Sequence, residues 1–357
     1  MKLPNTLIRL LQSAGFVLAM GAAQAEPDAL DRPAMISARA TSAVMLAVTR
    51  ADKRLVAVGE RGTILLSDDN GVTWRQVKTP VSVSLTNANF PTARLGWAVG
   101  HSGVVLNSAD GGETWTKQLD GKQAAQRVLD AAKAGSSSGA AQKLAEAERF
   151  VADGPDKPFF DVHFADERNG LIVGAYGLIL ATQDGGKSWR ALLDRIENPK
   201  GKHLYSIYAA GADILIAGEQ GALFASNDNG NHFAALKTPY EGTYFGATAS
   251  GTGQWYAFGL RGNVYCSADA GRSWQKLDSG APNTLTAGKR LADGTIALTD
   301  EGGRLLLGRD CKQALQPLPL ANPSPFTGVA QASDGTLILS GARGMARAAL
   351  KATDAQQ

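Results

Sequence analysis

Short apolar runs separated by glycine-rich turns recur along most of this chain. Leu55 to Val58 and Ile64 to Leu66 are typical, and each is bounded by charged, glycine or asparagine residues. Runs of this length, rich in β-branched residues and closed by turn formers, predict β-strands. Their regular succession predicts an all-β fold built from short antiparallel strands.

A glycine-bounded turn between the second and third strands divides the chain into units. Successive copies begin 41, 74, 44, 41, 41 and 41 residues apart, which indicates seven units and one insertion. The units cover roughly residues 42–77, 85–119, 159–193, 203–236, 244–277, 284–318 and 325–350. The turns are Gly59-Glu60-Arg61-Gly62, Gly100-His101-Ser102-Gly103, Gly174-Ala175-Tyr176-Gly177, Gly218-Glu219-Gln220-Gly221, Gly259-Leu260-Arg261-Gly262, a degenerate Asp300-Glu301-Gly302-Gly303, and Gly341-Ala342-Arg343-Gly344.

A second mark, Ser/Thr-x-Asp-x-Gly-x-x-Trp, occurs five times and is known as an Asp-box. The Asp can accept hydrogen bonds from the backbone of its own turn, and the Gly allows the positive φ that closes it. The aromatic residue begins the next strand and packs on a neighbouring repeat. We interpret these residues as structural: Asp69, Trp74, Asp110, Trp115, Asp184, Trp189, Asp228, Asp269 and Trp274, with Phe233 in place of the fourth Trp.

Seven four-stranded units predict a seven-bladed β-propeller as a single domain over residues 26–357. Unit six keeps Asp310 but has lost the rest of its Asp-box. Unit seven stops after its third strand, and Met35 to Ala40 is the only spare strand. We therefore predict that this N-terminal strand completes the last blade and closes the ring, which removes a free sheet edge.

Residues 120–157 break the β pattern between units two and three. Val128, Leu129 and Ala132 share one helical face, and Leu144, Ala147 and Val151 share another. We expect a helical hairpin with a flexible Gly-Ser tip.

Strand alternation places the Asp-box hairpins on one face of the disc. The glycine-bounded turns, the blade connections and the insertion lie on the other, and there we place any binding site. Arginines at three turns can be ordinary solvated residues or part of a polar rim for an acidic or amidic partner. The candidate partner-binding residues are Arg61, His101, Tyr176, Gln220, Arg261 and Arg343.

The first 25 residues are typical of a signal peptide, with a charged start, an apolar run and Ala23-Gln24-Ala25 before the cleavage point. We expect cleavage after Ala25, a periplasmic or secreted location, and no membrane insertion of the mature chain. The mature chain has 34 basic and 33 acidic residues, and this balance argues against nucleic acid as a partner. We expect a monomer.

Cys266 and Cys311 are the only cysteines, and they either pair in an oxidising compartment or stay as separate buried thiols. Two thiols and four scattered histidines predict neither a metal site nor a cofactor. No nucleophile-elbow, zinc-protease or phosphate-loop motif is present. A sialidase would need convergent arginines and a paired tyrosine and glutamate, which the spacing here does not predict.

The whole mature chain resembles the photosystem II assembly and stability factor family. The resemblance rests on Val58-Gly59, Val99-Gly100 and Val173-Gly174 at the turns, each followed by an Asp-box at a fixed interval. It implies a non-enzymatic protein that binds an integral membrane protein or complex during assembly. Cyanobacterial members carry a lipid-anchoring Cys and an arginine patch; here that Cys is missing and acidic residues dilute the arginines. In a heterotrophic host an envelope transporter such as an RND-type exporter is the expected partner, and a glycan-binding or hydrolysing propeller is the alternative function.

Overall fold

A computed structural model describes residues 28–135 and 139–350, which form seven antiparallel sheets arranged as a propeller. The predicted signal peptide lies outside these residues. Each sheet runs in chain order from its inner to its outer strand. Blades 1 to 3 comprise β1 Met45–Ala51, β2 Arg54–Gly59, β3 Ile64–Ser67, β4 Arg75–Val77; β5 Leu85–Asn89, β6 Gly96–Gly100, β7 Val105–Ser108, β8 Thr116–Leu119; and β9 Phe159–Phe164, β10 Gly170–Gly174, β11 Ile179–Thr182, β12 Arg190–Ala191.

The remaining blades follow the same plan, except that the seventh has three strands. They comprise β13 Leu204–Ala210, β14 Asp213–Gly218, β15 Leu223–Ser226, β16 Ala234–Ala235; β17 Tyr244–Ala249, β18 Trp255–Gly259, β19 Val264–Ser267, β20 Gln275–Leu277; β21 Leu285–Arg290, β22 Ile296–Asp300, β23 Leu305–Gly308, β24 Gln316–Leu318; and β25 Phe326–Gln331, β26 Leu337–Gly341, β27 Gly344–Ala348. Every inner strand contacts the next, and β25 contacts β1, so the ring is closed. The predicted seven-bladed propeller is confirmed.

The hydrophobic core lies between neighbouring blades. One cluster, for example, joins Leu66 of blade 1 to Phe90 and Trp115 beside blade 2, and each of these side chains is buried. The middle strands are apolar on both faces because each face packs against another blade, as β6 and β10 show by being buried throughout.

The N-terminal segment does not form the predicted strand. Residues 34–37 instead run beside the outer strand of blade 1, where Ala34 N donates to Thr79 O (3.1 Å). Gln76 accepts from Ser37 N (2.8 Å) and donates to Met35 O (3.0 Å). A short 3-10 helix, Ala40–Ser42, then contacts β27 of blade 7. The segment thus ties the first blade to the last without adding a strand to blade 7.

The insertion is the predicted helical hairpin, with α1 Gly121–Ala134 and α2 Ala140–Ala152. The side chain of Asp120 caps α1 by accepting from Lys122 N and Gln123 N, both at 3.1 Å. In return, Asp120 N donates to Gln123 Oε1 (3.0 Å), which completes a capping box. One predicted face is wrong in part. Val151 is 38% exposed, and Phe150 packs on the core cluster instead.

The Asp-box turns hold themselves together with their own side chains. In the first, Asp69 accepts from Thr73 N (2.9 Å) and from Thr73 Oγ1 (2.6 Å). The fifth repeats this geometry between Asp269 and Ser273 at 2.9 and 2.6 Å. These bonds lower the pKa of Asp69 and Asp269 to about 2, the largest cause being the hydroxyl donor in each case.

Cys266 and Cys311 form a disulfide with Cα atoms 5.6 Å apart. It joins the third strand of blade 5 to the turn that replaces the Asp-box of blade 6. The bond settles the choice that the sequence left open. Both cysteines are also buried in one core cluster, so the link lies at a packed interface between blades.

Candidate partner-binding face

The glycine-bounded turns share one face of the disc, which we call the turn face. At the third residue of this turn, five blades have a left-handed backbone on a residue other than glycine. The residues and their φ angles are Arg61 (53°), Ser102 (55°), Tyr176 (56°), Gln220 (52°) and Arg261 (55°). This conformation directs a series of unrelated side chains outwards from an otherwise uniform repeat.

The six predicted partner-binding residues all lie at these turns and are exposed. The three arginines lie on separate turns, those of blades 1, 5 and 7. Among the described residues, no hydrogen bond or ion pair joins Arg61, Arg261 or Arg343 to another side chain. The arginines are therefore a scattered ring and not a clamp.

The helical hairpin rises from the turn face at blade 2. Gly103, which closes the His101 turn, lies so close to Gly121 at the start of α1 that a Cβ added at Gly103 would be 2.5 Å from the Cα of Gly121. Glycine at both positions lets the hairpin begin directly on the turn. Blade 2 consequently presents a larger surface on this side than any blade with a simple turn.

One further position on this face varies in an informative way. In every blade, the second residue of the inner strand is a bulge between its first two register pairs, near the turn face. In three blades it is threonine, and its hydroxyl donates to a carbonyl of the next blade. The bonds are Thr86 to Phe159 O (2.8 Å), Thr286 to Phe326 O (2.8 Å) and Thr327 to Met45 O (2.7 Å).

Blades 3, 4 and 5 carry an aromatic residue at this bulge position instead. Ring centroids of Phe160 and Tyr205 are 5.1 Å apart, and those of Tyr205 and Phe245 are also 5.1 Å apart. His203 extends the group, 6.1 Å from Tyr205, and Tyr176 follows at 4.9 Å from His203. We call these five residues the aromatic arc. It runs along the turn-face ends of the inner strands of blades 3, 4 and 5.

The exposed end of the aromatic arc is held by hydrogen bonds. Tyr176 N donates to His203 Nδ1 (2.9 Å), which fixes the ring beneath the turn of blade 3. His203 N donates to Glu219 Oε1 (2.8 Å) on the turn of blade 4. Burial, with a contribution from the negative charge of Glu219, raises the pKa of Tyr205. The turns of blades 3 and 4 are thus coupled through one histidine.

Directly after Phe160 on the inner strand of blade 3, a buried carboxylate links three inner strands. Asp161 accepts from Asn87 Nδ2 (2.6 Å) in blade 2, from Val162 N (2.7 Å) in its own blade and from Ile207 N (2.7 Å) in blade 4. Burial raises its pKa to about 7, although the three donors oppose that shift. The side chain of Lys289 is accessible to solvent although protein atoms surround much of it. Desolvation is the main cause that lowers its pKa.

Sequence reasoning found Tyr176 but missed the other four rings of the aromatic arc. The signal was available, since aligning the units on the first residue of each inner strand puts Phe160, Tyr205 and Phe245 in one column with the threonines. His203 stands two residues before Tyr205 and carries no motif. Its position depends on a contact between blades that the sequence does not reveal.

No group of three or more potential metal ligands occurs among residues 28–135 and 139–350. Within the same residues, no helix is long and apolar enough to cross a bilayer. Nothing in this part of the chain favours the glycan-hydrolysing alternative, because the turn arginines do not converge.

The fold defines an Asp-box β-propeller whose turn face varies from blade to blade. Residues 145–308 match the family model for photosynthesis system II assembly factor YCF48. A curated relative, the photosystem II assembly lipoprotein Ycf48 of Synechococcus sp. (strain CC9902), is 30% identical over 137 residues. The aligned stretch is 38% of this chain and 41% of that relative.

Two solved structures share the fold over most of the chain. YCF48 bound to D1 peptide has a TM-score of 0.64 at 16% identity and covers 88% of this chain and 94% of its own. YCF48 from Cyanidioschyzon merolae has a TM-score of 0.60 at 14% identity, covering 85% and 94%. The family model and the curated relative support, over part of the chain, the resemblance to photosystem II assembly factors that the sequence predicted. The two solved structures show that the chain shares their fold.

Proposed function

We propose that this chain is an exported, non-enzymatic propeller that binds an integral membrane protein during assembly of a complex, using its turn face. The observation that carries the proposal is the concentration on this one face of features that the repeat does not require. They are the helical hairpin, the outward left-handed residues and the aromatic arc. On the opposite face, in contrast, the polar side chains of the Asp-box hairpins form hydrogen bonds within their own turns.

Two findings on relatives support the partner class. One solved relative is described as bound to a D1 peptide, and the curated relative is named an assembly lipoprotein. For this chain, a photosystem subunit in a photosynthetic host and an RND-type exporter in another host are the partners to test. The Cys266–Cys311 disulfide supports export, because such bonds persist in oxidising compartments.

The test is an affinity capture from solubilised membranes of the host. The bait is the mature chain, compared with a variant in which a short Gly-Ser linker replaces residues 121–156. We expect the intact bait to recover one integral membrane protein and the variant to lose it. A matched control is Val72→Ser, which changes an exposed apolar residue (61% accessible) on the Asp-box face.

Circular dichroism and thermal unfolding of each bait establish that the ring is folded. Equal recovery by the Val72→Ser control would place the interface on the turn face. Recovery that depends on Val72 and not on the hairpin would overturn the proposed face. If folded baits capture no membrane protein at all, the proposed function is wrong.

A further inference from the structure

The aromatic arc replaces the threonine that three other blades carry at the bulge position of the inner strand. At the bulge position, threonine gives an interblade hydrogen bond in blades 2, 6 and 7. Phe160 and Phe245 cannot donate such a bond, so blades 3 and 5 lack this interblade interaction. Three adjacent blades make the same change. Blade 1 carries Leu46 at this position and also lacks the bond, so what distinguishes blades 3, 4 and 5 is the aromatic ring itself.

Solvent reaches all five side chains of the aromatic arc. Phe160, Tyr205, Phe245 and His203 are half-buried, and Tyr176 is 59% exposed. Their planes are not parallel, with angles of 33° between Phe160 and Tyr205 and 57° between Tyr205 and Phe245. Neighbouring rings that are not parallel do not cover one another's faces fully, and the faces carry the negative part of the aromatic quadrupole.

The charged group beside these rings is an acid. Glu219 uses Oε1 to accept from His203 N, and its side chain is 25% accessible. Within residues 28–135 and 139–350, no lysine or arginine lies within ion-pair distance of Glu219. The lysine next to the same turn, Lys202, donates instead to Gln220 O (2.9 Å). Among the described residues, only His203 Nε2, 4.0 Å from Glu219 Oε1, could act as a cation beside this carboxylate, and no lysine or arginine stacks on the rings of the aromatic arc.

We propose that the aromatic arc and Glu219 bind an arginine side chain of the partner protein. Arginine fits because its guanidinium stacks on aromatic faces and also bonds a carboxylate in two-pronged fashion, whereas an ammonium makes only point contacts. The inference rests on the proposed function, in that the assembly partner supplies the arginine. It adds a site for a basic segment to a face whose turn arginines would suit an acidic one.

The probe is the peptide acetyl-Gly-Arg-Gly-amide, titrated into the full mature chain with isotope-labelled aromatic rings. Two matched peptides carry citrulline, which keeps the shape without the charge, or leucine, which is apolar. A single side chain binds weakly, so binding is followed by NMR up to about 50 mM peptide. We expect saturable shifts of the ring resonances of the aromatic arc with the arginine peptide only.

Variants connect the binding to these residues. Phe160→Thr with Phe245→Thr inserts the residue that other blades use at this position, so the ring is expected to fold, and Glu219→Gln removes the charge alone. Each should raise Kd at least about fivefold, which corresponds to about 1 kcal/mol of cation–π or charge-assisted contact. The control Leu46→Thr makes the same kind of change in blade 1, away from the aromatic arc, and should leave Kd unchanged.

Equal binding of the arginine and citrulline peptides, stronger binding of the leucine peptide, or no binding by the folded chain would each overturn the inference. The membrane capture separates this failure from failure of the proposed function. If the partner is recovered equally by the intact chain and by Glu219→Gln, the function stands and the arginine site does not. If the peptide binds as expected but no membrane protein is captured, the site stands and the proposed function fails.

Discussion

Asp161 is the residue at which the repeat and the individual chain differ most in chemistry. The corresponding inner-strand position is Ala47 in blade 1 and Ala287 in blade 6. A carboxylate here joins the inner strands of blades 2, 3 and 4 through three N–H donors, but it must leave water to do so. The desolvation cost outweighs the donors, and the pKa of Asp161 is raised to about 7.

The raised pKa of Asp161 predicts a pH-dependent stability. The folded chain holds this proton more tightly than the unfolded chain, whose carboxyl has a pKa near 3.8. The free energy of unfolding should therefore fall as pH rises from about 4 to 7 and level off above 7, by at most about 4 kcal/mol. Urea unfolding at several pH values measures this, and Asp161→Asn should remove that part of the slope.

The neighbouring groups set the control for Asp161. His163 has a pKa lowered by burial, so its own contribution has the opposite sign: stability rises with pH as the unfolded histidine loses its proton. The difference between wild type and Asp161→Asn isolates the carboxyl, because both proteins keep His163. Parallel pH profiles of the two proteins would show that Asp161 does not titrate in this range.

At the level of elements, the N-terminal segment closes the ring by a different device from an added strand. Its prediction from sequence failed because Met35 to Ala40 alternates like a strand, yet backbone pairing with blade 7 does not form. Gln76 supplies two of the bonds that hold the segment along blade 1 instead. A side chain that replaces a strand partner leaves no periodic trace in the sequence.

Gln76→Ala should release this segment. Loss of two hydrogen bonds at a partly accessible site is expected to cost about 1–2 kcal/mol of stability. Hydrogen exchange should quicken at residues 34–42, and trypsin should cut more readily after Arg39, which is exposed. Lys276→Ala is the matched control, because Lys276 occupies the same register position in blade 5. Equal exchange in the two variants would contradict the assigned role.

The disulfide between blades 5 and 6 is a second device at the element scale. Its sequence separation of 45 residues predicts a loss of about 4 kcal/mol on reduction, by the entropy gained in the unfolded chain. Chemical denaturation with and without reductant measures this loss. The double variant Cys266→Ser/Cys311→Ser should be as unstable as the reduced protein and insensitive to reductant. An unchanged midpoint for the reduced wild type would show that packing alone holds the interface.

Sequence was enough for the blades and not enough for their contacts. The turn at Gly59 and the Asp-box at Asp69 recur at fixed intervals, so each strand could be placed to within a few residues. Whether Cys266 can bond to Cys311 depends on how blades 5 and 6 pack against each other. Residue spacing within one repeat does not predict that packing. The same holds for His203, whose ring accepts from the backbone of Tyr176 in the preceding blade.

For the whole molecule, the two faces of the disc use polar side chains in opposite ways. On the Asp-box face, the Asp-box carboxylates accept hydrogen bonds from their own turns. Two other carboxylates, Asp68 and Glu113, form ion pairs of 2.5 to 3.7 Å with Arg54 and Arg75 and so link blades 1 and 2. On the turn face, the exposed side chains differ from blade to blade. Because the hydrogen bonds that hold each repeat lie on the Asp-box face, the exposed residues of the turn face can differ between blades.

The self-satisfied Asp-box face predicts the acid stability of the entire propeller. The pKa of Asp69, Asp184 and Asp269 is lowered to about 2, and that of Asp110 and Asp228 is also lowered. Since unfolded aspartates titrate near 3.8, the stabilisation from these turns is complete above about pH 4 and is lost as pH falls towards 2.

An acid titration followed by near-ultraviolet circular dichroism should therefore show unfolding below about pH 3, in one transition because the ring is closed. Asp69→Asn with Asp269→Asn removes two of the titrating groups, so the free energy of unfolding should fall less steeply between about pH 4 and 2. Asp52→Asn is the control, since Asp52 is an exposed aspartate outside the Asp-boxes. An acid transition above pH 4, or equal slopes for the double variant and wild type, would mean that the Asp-box carboxylates do not hold the blades together. Equal pH slopes would also indicate that acid unfolding begins at the interfaces between blades.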